Sequence, residues 1–165
     1  MRVLGYQLSE IFEGFYKEKK AELSLENITL LPMSDHPKGN QYGNAYGTTL
    51  LKDNGRTLQV FLNPDCFNQY PSDIRDYVSE SIAVHEILHP WTKEQGFPEV
   101  RSDTRCPAIG ERFTNLFHHL VINREMDRLE YDHAITDRFV ARQFVEVNTE
   151  LKNTQSIPEY ELTTF

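Results

Sequence analysis

The chain has 165 residues, 39% hydrophobic and 25% charged, which is sufficient for one globular domain to bury a core without disulfides. Its formal charge of −8 argues against binding nucleic acid through the phosphates, because that mode needs a basic face. No apolar run approaches the roughly 18 residues of a membrane span, and the N-terminus lacks a secretory signal pattern. We therefore predict a cytoplasmic protein with reduced cysteines that binds neither nucleic acid nor membrane.

The first part of the chain is predicted to form a helix and a small sheet. Apolar residues at helical spacing predict a first helix over about 5–24. The apolar run Ile28–Met33, ended by the polar loop Ser34–Asn44, is typical of a strand. Ala45–Leu51 and Thr57–Leu62 flank a turn that contains Asn-Gly, which predicts a β-hairpin.

A second helix is predicted after the capping sequence Pro71-Ser72-Asp73. Apolar residues and two histidines fall on one face of it: Ile74, Val78, Ile82, His85 and His89. Proline disfavours the α conformation in the residue before it, so Pro90 is expected to end this helix at His89. Trp91–Cys106 is then expected to form a loop.

Two more helices are expected, one from Pro107 to about Tyr131 and one over roughly 134–151. The apolar stripe of the third helix is predicted to be Ile109, Phe113, Leu116, Phe117 and Leu120. We expect one domain over 1–152, followed by a flexible tail over 153–165. No internal repeat or low-complexity tract is evident in the sequence.

The sequence His85-Glu86-Ile87-Leu88-His89 lies in the predicted second helix. Residues four apart lie on one face of a helix, so His85 and His89 can place two imidazole nitrogens on one metal ion. Glu86 then lies beside the metal, where its carboxylate can act as a general base towards water. This pattern predicts a hydrolytic metal site.

The motif, the strand before it and the helix after it resemble those of the zincin metallopeptidases. The resemblance implies an α+β fold in a minimal zincin layout, with a small, mostly antiparallel sheet packed by the first helix and the motif helix. It also implies one zinc ion per chain and peptide-bond hydrolysis by zinc-activated water, with Glu86 as general base. In this family a strand at the sheet edge lines the cleft and pairs with the peptide substrate, and Thr57–Leu62 looks like that strand.

A catalytic zinc site usually has three protein ligands, so a third must be found. Gly110–Phe117 is similar to the second motif of the gluzincins, which implies Glu111 as third ligand and Asn115 as support for a ligand histidine. His119 is an alternative, since imidazole is a good zinc ligand. Asp127 is another, because Asn123–Asp127 resembles the Asn-x-x-x-Asp helix of certain metallopeptidase-like proteins.

Other roles stay open at this point. His118, Tyr131 and His133 are candidate donors to the oxyanion, and the sequence does not choose among them. The alternative to an enzyme is a non-catalytic binding protein of zincin fold whose metal is structural or absent. In that case Cys106 or His119 would join Glu111 to close the site with four ligands. Neither the substrate specificity nor the oligomeric state can be predicted from the sequence.

Overall fold

The computed structural model describes residues 2–39, 45–97 and 107–134, with side chains in the last range described from Thr114 onward. The chain divides after His133 into two compact units. Every element described below belongs to the first unit. Of the predicted fourth helix over 134–151 only Ala134 is described, and the tail over 153–165 lies outside the described residues. The boundary of the domain predicted over 1–152 therefore stays a prediction.

The N-terminus begins with a two-stranded antiparallel ribbon, β1 (Arg2–Val3) and β2 (Tyr6–Gln7). Helix α1 (Glu10–Glu22) follows, so it begins later than the predicted residue 5. Ser9 caps this helix, since its hydroxyl accepts a hydrogen bond from the Phe12 amide at 3.1 Å. Most residues before Ser9 thus belong to the ribbon rather than to the helix.

The sheet has three strands, β3 (Asn27–Pro32), β4 (Gly47–Lys52) and β5 (Thr57–Leu62), in the order β3-β5-β4. The predicted hairpin is confirmed, because β4 and β5 are antiparallel and joined at Asp53–Gly55. Gly55 in this turn has a φ of 87°, a conformation that favours glycine. β3 pairs in parallel with β5, so the sheet is mixed, and the fold class is α+β as predicted.

The prediction that Thr57–Leu62 is the edge strand is wrong. This segment is β5, the central strand, and it is paired on both sides. Four of its residues are buried, Leu58, Val60, Phe61 and Leu62, which include neighbours on opposite faces. Within the described sheet the edge strand beside the motif helix is β4.

A short helix, α2 (Pro64–Phe67), leads to α3 (Arg75–Glu94), which carries the motif and packs on β4, β5 and α1. Pro90 does not end α3, because the helix runs on to Glu94. A proline inside a helix removes one backbone hydrogen bond, here the one to the Glu86 carbonyl. Thr92 is fully buried and its hydroxyl donates to the His89 carbonyl at 2.8 Å, so packing and side-chain bonding hold the last turn in place.

Helix α4 (Pro107–Arg128) packs against α3 with a different face from the predicted one. Phe117 and Leu120 of the predicted stripe are exposed, whereas the side chains of Ile109 and Phe113 lie outside the described part of the chain. Among the described side chains of α4, the buried ones are Thr114, His118, His119, Ile122 and Met126. The face of α4 that packs against α3 is therefore partly polar. Among the helices described, none combines the length and apolar character of a membrane span.

Candidate metal centre

Three histidines from two packed helices converge at one point. His85 and His89 lie one turn apart on α3, and His119 comes from α4. One ring nitrogen of each lies within 4.8 Å of those of the other two. His85 and His119 are buried, while His89 is partly exposed. The cluster therefore lies at the margin of the core, with one histidine partly exposed to solvent.

Two of the three spacings between the ring nitrogens fit a tetrahedral zinc ion. With metal–nitrogen distances of about 2.0–2.1 Å, two imidazole ligands of such an ion have nitrogens about 3.3 Å apart. The Nε2 atoms of His89 and His85 are 3.2 Å apart, and those of His89 and His119 are 3.4 Å apart. The three rings also meet at steep angles, between 50° and 82°, rather than stacking. The donor type and two of the three spacings thus fit the metal that the motif implies, and the third pair of nitrogens lies within 4.8 Å.

His85 and His89 lie where protonation is costly. Burial, and then the neighbouring His89 and His119, hold the pKa of His85 well below its usual value. Burial, and then His119, His118 and Lys93, lower the pKa of His89 to about 3. Neutral imidazoles keep a lone pair for a metal at neutral pH.

The second ring nitrogen of His85 departs from the hydrogen-bonding pattern that is common among metal-bound histidines. Ligand histidines usually donate their second ring N–H to a protein oxygen, which fixes the orientation of the ring. His85 Nδ1 is buried and has no hydrogen-bond partner among the described residues. The packing of the core therefore orients this ring.

Glu86, the next residue after His85, lies against the edge strand of the sheet. A Cβ atom placed on Gly47, the first residue of β4, would lie 2.7 Å from Glu86 Cγ and 3.0 Å from both Cδ and Oε1. Glu86 is partly buried, and burial raises the pKa of its carboxyl group to about 8. A carboxyl group with a pKa near neutrality is suited to both accepting and donating a proton.

The structure places the candidates for the third ligand at different points of α4. His119 joins the histidine pair. Glu111 lies within α4, but its side chain is outside the described part of the chain, so its role stays a prediction. Eight residues of α-helix rise about 12 Å, so Glu111 and His119 are alternatives rather than partners on one ion. Asp127 is equally distant along the helix, is exposed and pairs with His133 at 2.9 Å.

The other residues that the sequence predicts at the site differ in their contacts. Asn115 is partly buried one turn before His119, and no hydrogen bond between described residues joins it to the three histidines. The Tyr131 hydroxyl donates to Glu80, so this donor is already engaged. His118 is fully buried beside the cluster, where its charge would lower the pKa of His89. Cys106, the candidate fourth ligand, lies outside the described residues.

Gly47 is the residue at this site that sequence reasoning missed. It stands at the start of the predicted hairpin strand, where a glycine is unremarkable, and no local pattern connects it with Glu86. One signal could have pointed to it, since glycine in a strand often marks a close approach by another group.

No protein-family model, curated protein or solved structure matches this chain. The chemistry of the site is therefore inferred from its own residues and their geometry.

Proposed function

We propose that this chain is a zinc-dependent peptidase in which His85, His89 and His119 hold the metal and Glu86 is the general base. The observation that carries the proposal is the convergence of three imidazoles from two helices, with N–N distances of 3.2 and 3.4 Å. A helical His-Glu-x-x-His sequence supplies two of the three. Three ligands leave a tetrahedral ion one position for a reacting group.

When bound, zinc would supply a Lewis acid and lower the pKa of a coordinated water. Imidazole ligands suit zinc, although copper, iron and nickel accept them as well. Glu86 would take the proton from the attacking water and return it to the leaving amine, the role that a carboxylate at this position of the motif performs. His118, which is buried and whose charge would act on His89, is the candidate that we assign to stabilise negative charge beside the cluster.

A peptide is the substrate class that the surroundings of Glu86 support best. β4 is the edge strand of the described sheet, and its first residue contacts the Glu86 side chain. An extended peptide can add to such an edge by main-chain hydrogen bonds, which would bring a backbone carbonyl close to the carboxylate. The free thiol of Cys66 agrees with the reducing cytoplasm that we propose as the location.

Glu86→Gln tests the proposal, because it removes the base and keeps the shape of the side chain. Purified wild-type protein should contain one zinc per chain by elemental analysis and should cleave a mixture of quenched fluorescent peptides. The E86Q protein should keep the zinc and lose roughly 10²- to 10⁴-fold in kcat, the usual contribution of a general base.

Two results would contradict the proposal in different ways. A wild-type protein that binds no metal would make the histidine cluster a feature of the core alone. One zinc per chain with no cleavage that depends on Glu86 would instead indicate a structural metal in a binding protein. Glu26→Gln serves as the matched control, since Glu26 is exposed, pairs with Arg56 and should affect neither zinc content nor turnover.

A further inference from the structure

We propose that Gly47 is a positioning residue for Glu86, and that its missing side chain leaves the space in which the carboxylate lies. The inference rests on the proposed role of Glu86 as general base. Gly47 opens β4 and pairs with Leu62 of β5, so its backbone is held by the hairpin. Strand β4 in turn packs against α3, which carries Glu86.

The space beside Gly47 is taken by Glu86. The three heavy atoms nearest to a Cβ at this position are all Glu86 side-chain atoms, Cγ at 2.7 Å and Cδ and Oε1 at 3.0 Å. Carbon atoms in van der Waals contact lie about 3.5–4.0 Å apart, so a methyl group and this Glu86 conformer exclude one another. The Glu86 side chain occupies the volume that any other residue at position 47 would fill.

The backbone does not require glycine at position 47. The described glycines with positive φ are Gly5, Gly55 and Gly96, and Gly47 is not among them. An alanine can adopt the backbone conformation of an ordinary strand residue, and glycine weakens a strand because it has no side chain to pack. Space for Glu86 is therefore the property of glycine that this position uses.

The consequence of a side chain at position 47 follows from the flexibility of glutamate. Glu86 can rotate away from the strand, so the fold tolerates Gly47→Ala, but the carboxylate is displaced. A displacement of about 1 Å at a reacting group can reduce turnover by roughly 10²-fold. The three histidines belong to α3 and α4 rather than to β4, so they should still hold the metal.

The test compares G47A, E86Q and the matched control G14A with the wild-type protein. Gly14 lies in α1 without positive φ, and a methyl group there would meet nothing within 4 Å, so alanine changes no contact. With Co²⁺ in place of zinc, all four proteins should bind one equivalent. The visible absorption spectrum of G47A should move towards that of E86Q, and that of G14A should match the wild type.

The same variants are compared in turnover. For a peptide that the wild type cleaves, kcat of G47A should fall by roughly 10²-fold with KM changed little. A G47A protein with the wild-type spectrum and rate would overturn the inference.

A second measurement needs neither metal nor substrate. In metal-free protein, G47A is made in the wild-type background and in the E86A background, and the change in Tm is compared between them. We expect G47A to lower Tm in the first background and to leave it unchanged or raise it in the second, because E86A empties the contested space. Equal changes in both backgrounds would overturn the inference even if the protein proves to be a zinc peptidase. Unequal changes would support the contact even if the proposed function fails.

Discussion

One of the three histidines in the cluster, His119, comes from outside the motif. His85 and His89 are brought together by helical spacing alone, whereas His119 reaches them only because α4 packs against α3. We predict that His119→Ala weakens zinc binding by more than about 100-fold, since even the outer partners of zinc ligands contribute 10- to 100-fold. Competition with a chromophoric chelator measures this affinity.

Glu111→Ala provides the complementary measurement. If His119 is the third ligand, E111A should bind zinc with an affinity within a few-fold of the wild type. A large loss in E111A together with a small one in H119A would reverse the assignment and restore the gluzincin-like ligand set. The two residues lie about two helical turns apart, so a single zinc ion can bind only one of them.

At the scale of elements, a buried lysine joins three helices. Lys19 of α1 is 1% exposed, and its ammonium group lies 2.8 Å from Glu18, 2.9 Å from Glu22 and 3.4 Å from Glu125 of α4. It also lies 4.5 Å from the ring centroid of Trp91 on α3. Burial alone would lower the pKa of Lys19, but its hydrogen bonds to Glu18 and Glu22 outweigh this and raise it. Lys19 therefore stays charged, and its contacts link the C-terminal parts of α1, α3 and α4.

Glu125→Gln should destabilise the protein in a pH-dependent way. Hydrogen bonds from Arg128, and also the charge of Lys19, lower the pKa of Glu125 in the folded state. The carboxylate therefore stabilises the fold above its unfolded pKa, and this stabilisation is lost as the pH falls through the folded pKa. At neutral pH we expect the unfolding free energy of E125Q to fall by about 1–3 kcal/mol, with the difference from the wild type shrinking as the pH falls through the folded pKa of Glu125.

Urea unfolding at several pH values measures this difference, with Glu26→Gln as control. Glu26 pairs with Arg56 at 3.1 Å, but both side chains are about two-thirds exposed, at 66% and 67%. Exposed pairs contribute little, so E26Q should change the unfolding free energy by less than about 1 kcal/mol at any pH. A difference for E125Q that stays constant with pH would show that the carboxylate contributes through packing rather than charge.

Three predictions about elements were wrong for identifiable reasons. Pro90 lies inside α3 because the burial of Thr92 outweighs one lost hydrogen bond. β5 is the central strand, and its apolar residues are buried on both faces of the sheet. In the sequence, such a run of apolar residues does not distinguish a central strand from an edge strand. The apolar stripe predicted for α4 is not its buried face, since Phe117 and Leu120 are 49% and 62% exposed. Polar residues at the site, such as His118 and His119, take the inward positions.

For the whole molecule, one buried carboxylate ties both ends of the first unit to the motif helix. Glu80 of α3 accepts hydrogen bonds of 2.6 Å from the Ser9 amide and the Ser9 hydroxyl, and another from the Tyr131 hydroxyl. Burial, and then the bond to Glu80, raise the pKa of Tyr131 above its usual range. The start of α1 and the segment after α4 are thereby fixed relative to α3, which limits relative motion of the elements that form the site.

Zinc should stabilise the folded chain as a unit. Its three proposed ligands are close only when α3 and α4 are packed, so the unfolded chain binds the ion weakly. At a free zinc concentration of 100 times Kd, the stabilisation is about 2.7 kcal/mol, or roughly 5–10 °C in Tm for a domain of this size. Thermal unfolding with zinc and with excess chelator measures this shift. H119A should show no such shift, and a zinc-independent Tm in the wild type would contradict the proposed site.

Local sequence was sufficient to predict the β4–β5 hairpin and a helix that presents His85 and His89 on one face. These features depend on periodicity and turn chemistry, which act over a few residues. The contacts of His119 with the pair and of Gly47 with Glu86 emerged only from the folded chain. Both contacts join residues far apart in the chain, through helix–helix and helix–sheet packing. The local pattern around each of these residues is compatible with several partners, and burial against a particular neighbour selects one.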